Sequence, residues 1–151
     1  MNKYDLNYLK SFSLPKGIGP RHGLINDGII YFVTEYSNEV YALGQDNKIL
    51  RSSKTITTDC TSYGATLIIK DGIVYCSNRG EETIALFDIN TFKYLKSYPV
   101  YGKHSRHMIN YEDYIITFNK NSDNVVIIDM KNGEKVLEFE YPQAACGCII
   151  K

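Results

Sequence analysis

Short apolar runs broken by turn residues fill this chain, and none carries the 3.6-residue spacing of an amphipathic helix. Ile29–Val33 and Val125–Ile128 are typical, strand-sized and rich in Val, Ile, Tyr and Phe. Asn26-Asp27-Gly28, Asp71-Gly72 and Glu112-Asp113 separate neighbouring runs, so the runs read as strands joined by hairpins. Three segments superimpose without gaps through their cores: GIIYFVTEYSNEVYAL (28–43), GIVYCSNRGEETIAL (72–86) and DYIITFNKNSDNVVII (113–128). Gly28, Gly72 and Asp113 correspond, as do Val40, Ile84 and Val125, and both series step by 44 and then 41 residues. A repeat of about 40 residues holding four strands is the signature of one propeller blade. The pattern predicts strands at 21–26, 29–35, 39–44 and 49–56, then 64–70, 73–79, 83–89 and 94–100, then 106–111, 114–120, 124–130 and 135–141.

The fold class expected is therefore all-β, a single partial β-propeller of about three and a half four-stranded antiparallel blades over residues 1–151. Blades are expected at about 19–57, 62–100 and 104–142, with a blade remnant at 4–14 and the inner strand of a further blade at 144–151. First and second strands are expected to be apolar on both faces, and the more polar fourth strands to lie at the rim. A closed ring takes about four to eight blades, so two apolar faces should be left bare. Either an N-terminal half-propeller is missing or two copies pair as a homodimer of about seven blades.

Composition narrows the partners. The chain is 44% hydrophobic and 23% charged with zero formal net charge, and neither sign clusters in the sequence, so no nucleic acid and no membrane surface is expected as a partner. No apolar run approaches the roughly 18 residues of a spanning helix. The start, MNKYDLNYLK, lacks the apolar core of a secretory signal, which points to a cytoplasmic protein. Cys60, Cys76, Cys146 and Cys148 are too few and too irregular for a disulfide framework, and buried thiols are expected. Cys146-x-Cys148 is poor geometry for a mutual disulfide and incomplete as a zinc site, and the terminal CIIK ends in a lysine that does not suit a prenylation box.

Hairpin geometry gathers a set of polar residues. With the turn at 26–28, Arg21 and His22 must lie beside Thr34 and Glu35; by the same arithmetic Gly64 lies beside Asn78 and Arg79, and Arg106 and His107 beside Asn119 and Lys120. Radial blades would bring all these groups to one mouth of the central opening. Thirteen lysines serve the chain against four arginines, yet Arg21, Arg79 and Arg106 all fall at this rim. A guanidinium fork suits carboxylate, phosphate or a developing oxyanion. The plainer alternative is that Arg21 and Glu35 merely pair to close a blade edge. His104-x-x-His107 points its imidazoles to opposite faces of an extended segment with no acidic third ligand, so no metal is expected. The tyrosines, mostly in strands, read as packing rather than as a stacking platform.

GIGPRHGLINDGIIYFVTEYSNEVYAL (17–43), YCSNRGEETIALFDI (75–89) and GKHSRHMINYEDYIITFNKNSDNVVIID (102–129) together resemble the C-terminal half of the propeller-type 6-phosphogluconolactonase family, seven-bladed enzymes related to fungal carboxymuconate lactonising enzymes. The most specific pieces are Gly19-Pro20-Arg21-His22 with Glu35, Ser77-Asn78-Arg79-Gly80 and Asn121-Ser122-Asp123-Asn124. The resemblance implies a pocket of Arg21, Glu35 and Arg79, with His22 and the Arg106-His107 pair adjacent. It also implies a histidine from an upstream blade that this sequence does not contain, and Lys103-His104-Ser105 departs from the family's usual residues before the second Arg-His.

The activity so implied is hydrolysis of a small anionic lactone or sugar phosphate, 6-phosphogluconolactone, without a cofactor. In that chemistry Glu35 would act as base or orient one, Arg79 would stabilise the oxyanion, Arg21 or Arg106 would clamp phosphate, and His22 and His107 would contact substrate. The competing expectation is a non-catalytic propeller that keeps its rim for an anionic ligand.

Overall fold

The computed structural model describes residues 11, 13–46 and 48–150, and among them there is no helix. Twelve strands follow one another: β1 (Pro20–Asn26), β2 (Ile29–Thr34), β3 (Glu39–Leu43), β4 (Ile49–Lys54), β5 (Tyr63–Lys70), β6 (Ile73–Arg79), β7 (Thr83–Asp88), β8 (Tyr94–Pro99), β9 (Ser105–Tyr111), β10 (Tyr114–Asn119), β11 (Asn124–Asp129) and β12 (Lys135–Glu140). They make three antiparallel four-stranded sheets, each a simple meander in chain order. Each strand lies within two residues of the position its apolar run predicts. Tight hairpins fix the register: Asp27 and Gly28 have φ of 49° and 74°, and Asp71 and Gly72 have 50° and 76°. Two successive positive φ values are those of a type I′ turn, whose twist matches paired strands.

Stacked sheets explain the burial. Alternate residues of a strand face opposite ways, so in β6 Val74 and Cys76 turn toward the first sheet while Ile73 and Tyr75 turn toward the third. Tyr31, Val33, Val40 and Ala42 meet Leu67, Val74, Cys76, Ala85 and Phe87 in one interface. In the other, Ile68, Tyr75, Ile84, Leu86 and Tyr98 meet Met108, Ile115, Val126 and Ile128. Burying a side chain such as Phe87 or Ile128 contributes about 1.5–3 kcal/mol. The middle sheet is thus apolar on both sides, and the three sheets are consecutive blades of a partial propeller. The rim strand β12 is exposed throughout and β4 largely so.

Three expectations change. Of the first strands only β5 is apolar on both faces, with Leu67 in one interface and Ile68 in the other; β1 holds no fully buried residue and β9 only Ser105 and Met108. At β1 and β9 polar side chains replace core where the strands face the axial opening. The far face of the first sheet is not bare either: Phe32, Tyr41 and Leu43 are buried there, with Ile18 and Leu14 packed across them. The far face of the third sheet does remain open, leaving Leu137, Phe139 and Tyr141 exposed. The remnant expected at 4–14 falls outside the described residues except for Ser11, Ser13 and Leu14, which form no strand. Residues 144–150 form no ladder but lie along the third sheet, with Gly147 packed against the Phe118 ring. A strand needs a neighbour to pair with, and none is present among the described residues.

Candidate functional site

The innermost strands β1, β5 and β9 stand side by side, and each carries a register shift at the same point of its hairpin. The ladder slips between Pro20 and His22, between Gly64 and Leu67, and where Ser105 and His107 pair with Asn119 and Phe118. An extra residue at such a bulge turns its side chain out of the regular alternation. The residues concerned are Arg21-His22, Ala65-Thr66 and Arg106-His107, which are equivalent under the 44- and 41-residue steps of the repeat.

These six residues, with Ala145 and Cys146, line one cavity of about 450 Å³. Two blades supply Arg-His and the middle blade supplies two small residues, so the hollow exists because Ala65 and Thr66 leave it empty. Below it His22 and His107 also line a second space of about 330 Å³, together with Leu24, Leu67 and Ile109. Thr66 Oγ1 donates to the Arg106 carbonyl at 3.2 Å, tying the middle blade to the third at the cavity wall.

Glu35 and Arg79 come to the same end of the molecule, but to each other rather than to the cavity wall. Arg79 Nη2 lies 2.5 Å from Glu35 Oε1, and Arg21 Nη1 lies 3.4 Å from the same oxygen. Arg79 is almost sealed, with its guanidinium over the Tyr63 ring at 5.7 Å. The hydrogen bond from Arg79, reinforced by the charges of Arg79 and Arg21, holds the Glu35 carboxyl below the ordinary carboxylate range. Burial, and then repulsion from Arg79, lowers the Arg21 pKa, with Glu35 opposing them. Arg21 is therefore the shared member: it touches the carboxylate and faces the cavity. The pairing of Arg21 with Glu35 foreseen as a plainer alternative is present, and Arg79 extends it across two blades.

The surroundings are cationic although the whole chain is neutral. Arg79, Arg106, Lys120 and Arg21 all press on the His104 imidazole, whose pKa falls first through burial and then through these charges. His104 is held at this edge by its own N–H donating to Glu82 Oε2 at 2.8 Å and by the Lys120 N–H donating to its carbonyl. Burial lowers the His107 pKa, and burial followed by the charges of His107 and Arg21 lowers that of His22. Among the described residues no three His, Cys, Asp or Glu side chains gather as a metal would require.

All six residues singled out from the sequence thus meet, in two linked groups: the ion cluster Arg21–Glu35–Arg79, and the cavity lining Arg21, His22, Arg106 and His107. Sequence reasoning missed Ala65 and Thr66, although the repeat step alone locates them opposite the Arg-His pairs. It also misjudged the thiols. Only Cys76 is buried, its pKa raised by that burial, while Cys60, Cys146 and Cys148 are exposed because they lie outside the strands.

Known proteins agree with this architecture. A 6-phosphogluconolactonase of Bacillus subtilis is 26% identical over 136 residues, which cover 79% of this chain and 39% of that protein. The periplasmic gluconolactonase of Pseudomonas aeruginosa superposes with a TM-score of 0.78 at 17% identity, covering 87% of this chain and 42% of its own. A provisional 6-phosphogluconolactonase of Bacteroides uniformis gives 0.79 at 21% identity over 92% and 46%. The chain spans less than half the length of each of these relatives. Residues 1–147 match the profile described as lactonase, 7-bladed beta-propeller. This chain belongs to the lactonase family of seven-bladed β-propellers.

Proposed function

We propose that this chain supplies the arginine-rich half of a lactone-hydrolysing pocket, acting on 6-phosphogluconolactone to give 6-phosphogluconate in the pentose phosphate pathway. The observation that carries this reading is the cavity flanked by Arg21-His22 and Arg106-His107 and backed by the Arg21–Glu35–Arg79 cluster. Hydrolysis adds water to the lactone carbonyl, places negative charge on that oxygen, and then breaks the ring C–O bond, whose oxygen takes up the proton lost by water. A guanidinium beside the carbonyl stabilises the charged stage. Arg21 fits this role because Glu35 orients it while it faces the cavity. Arg79, spent on Glu35, acts by holding that carboxylate in place. Arg106 is the phosphate clamp. Glu35 orients the arginines rather than serving as a free base, since two cations stabilise its ionised form.

The same reading places the protein in the cytoplasm, where its four unpaired cysteines would stay reduced. It also calls for a cover over the exposed Leu137, Phe139 and Tyr141 face, either a second copy of this chain or an N-terminal half-propeller. Among the described residues no helix is long and apolar enough to cross a membrane.

A second reading, an anion-binding propeller without turnover, draws on the fact that among the described residues no unpaired carboxylate lines the cavity. Assay of 6-phosphogluconolactone hydrolysis, with molecular mass measured on the same sample, separates the two. The catalytic reading expects turnover above the spontaneous rate and a loss of about 100-fold in kcat for Arg21→Ala. A protein that binds 6-phosphogluconate but never exceeds the spontaneous rate is a binding module.

A further inference from the structure

The two imidazoles of the cavity carry a sharper assignment, which rests on the lactonase reading. His22 and His107 come from equivalent places on β1 and β9, and their rings meet edge to face with centroids 6.4 Å apart. Both line the upper cavity and the space beneath it. The Leu67 N–H donates to His22 Nδ1 at 3.3 Å, and the Gly147 N–H donates to His107 Nδ1 at 3.4 Å. A backbone amide has only a proton to give, so Nδ1 of each ring must present a lone pair. The single proton of a neutral imidazole then resides on Nε2. Burial, with the charges of His107 and Arg21 at His22, lowers the pKa of both rings and so disfavours a second proton. Among the described residues neither Nε2 has a partner, and neither is a sealed, orphaned atom.

We infer that His22 and His107 form a paired, uncharged hydrogen-bond donor site on the cavity floor, which takes a neutral oxygen of the ligand, a hydroxyl or carbonyl of a polyhydroxy lactone or its opened chain. Neither ring is the general base, because its one lone pair is committed to the backbone. Labour at the site is divided by charge. The Arg106 guanidinium takes the phosphate and that of Arg21 the charge at the lactone carbon, groups for which a charged bidentate donor is the stronger partner. The neutral N–H pair beneath reads the uncharged part of the same molecule. Inorganic phosphate, with no such part, should engage the arginines alone, whereas 6-phosphogluconate should reach the imidazoles as well.

The chain has three histidines, so a histidine-labelled sample gives a spectrum of three imidazoles, assigned with His22→Gln, His104→Gln and His107→Gln. Long-range proton–nitrogen correlation near neutral pH is expected to find both His22 and His107 as Nε2–H tautomers. Adding 6-phosphogluconate is expected to move both Nε2 resonances, and inorganic phosphate to leave them in place. Either ring found as the Nδ1–H form, or unmoved by 6-phosphogluconate, overturns the donor pair. Calorimetry and the hydrolysis assay on the same sample keep the two readings apart. Binding without an Nε2 shift defeats the donor site alone, and Nε2 shifts without hydrolysis defeat the enzymatic reading alone.

Discussion

A single carboxylate oxygen organises two arginines from neighbouring blades, and this detail determines what the site can do. Hairpin counting brought Arg21 beside Glu35 because both lie on one two-stranded unit, where register follows from the turn. It could not foresee that Arg79, 44 residues further along, would close on the same oxygen, since that contact depends on how blades stack. Burial has a measurable consequence at this scale. His22, His104 and His107 all have folded pKa values below the ordinary one of about 6.5. Below that value the unfolded chain binds more protons than the folded one, so the associated stability is present above about pH 6.5 and is lost as pH falls toward the folded values. Glu35 behaves alike at lower pH: its contribution is present above the unfolded carboxylate pKa of about 4.3 and disappears as pH falls through its lowered folded value. Urea unfolding followed from about pH 7.5 down to about pH 5 should give declining free energies, and the double substitution His22→Gln with His107→Gln should flatten the slope.

At the scale of strands and blades, apolar alternation and turn residues were enough to place every strand, because each sheet is a local meander. The bulges were not legible. A bulge adds one residue without any residue type that marks it, and only the paired partner strand reveals the slip. They matter because they aim Arg21-His22 and Arg106-His107 at the axis, while Ala65-Thr66 at the equivalent place leaves room. Gly64, beside that empty position, holds the first two blades together. A Cβ there would run into the Thr34 carbonyl and the Val33 side chain. Gly64→Ala should therefore force the blades apart and destabilise the protein by about 1–3 kcal/mol, read from the shift of its denaturant midpoint. Because Glu35 follows Thr34 directly, the same variant should also weaken ligand binding. A Gly64→Ala protein of unchanged stability would mean that the blade contact is looser than described.

For the whole molecule, a repeat of about 40 residues made the partial ring legible before any coordinates. The covering of the first sheet's outer face was not, because that depends on where the non-repeating segment Leu14–Ile18 settles. Zero net charge concealed a strongly cationic axis, since charge summed along a sequence says nothing of how a ring concentrates it. The account as a whole stands on that axis being a binding site for an anionic sugar derivative. Its most direct test is the crystal structure of the chain grown with 6-phosphogluconate. The expected result is one molecule in the cavity of about 450 Å³, its carboxylate against Arg21, its phosphate against Arg106 and its hydroxyl chain against His22 and His107. An empty cavity at saturating ligand, or ligand found only against surface lysines, would contradict it.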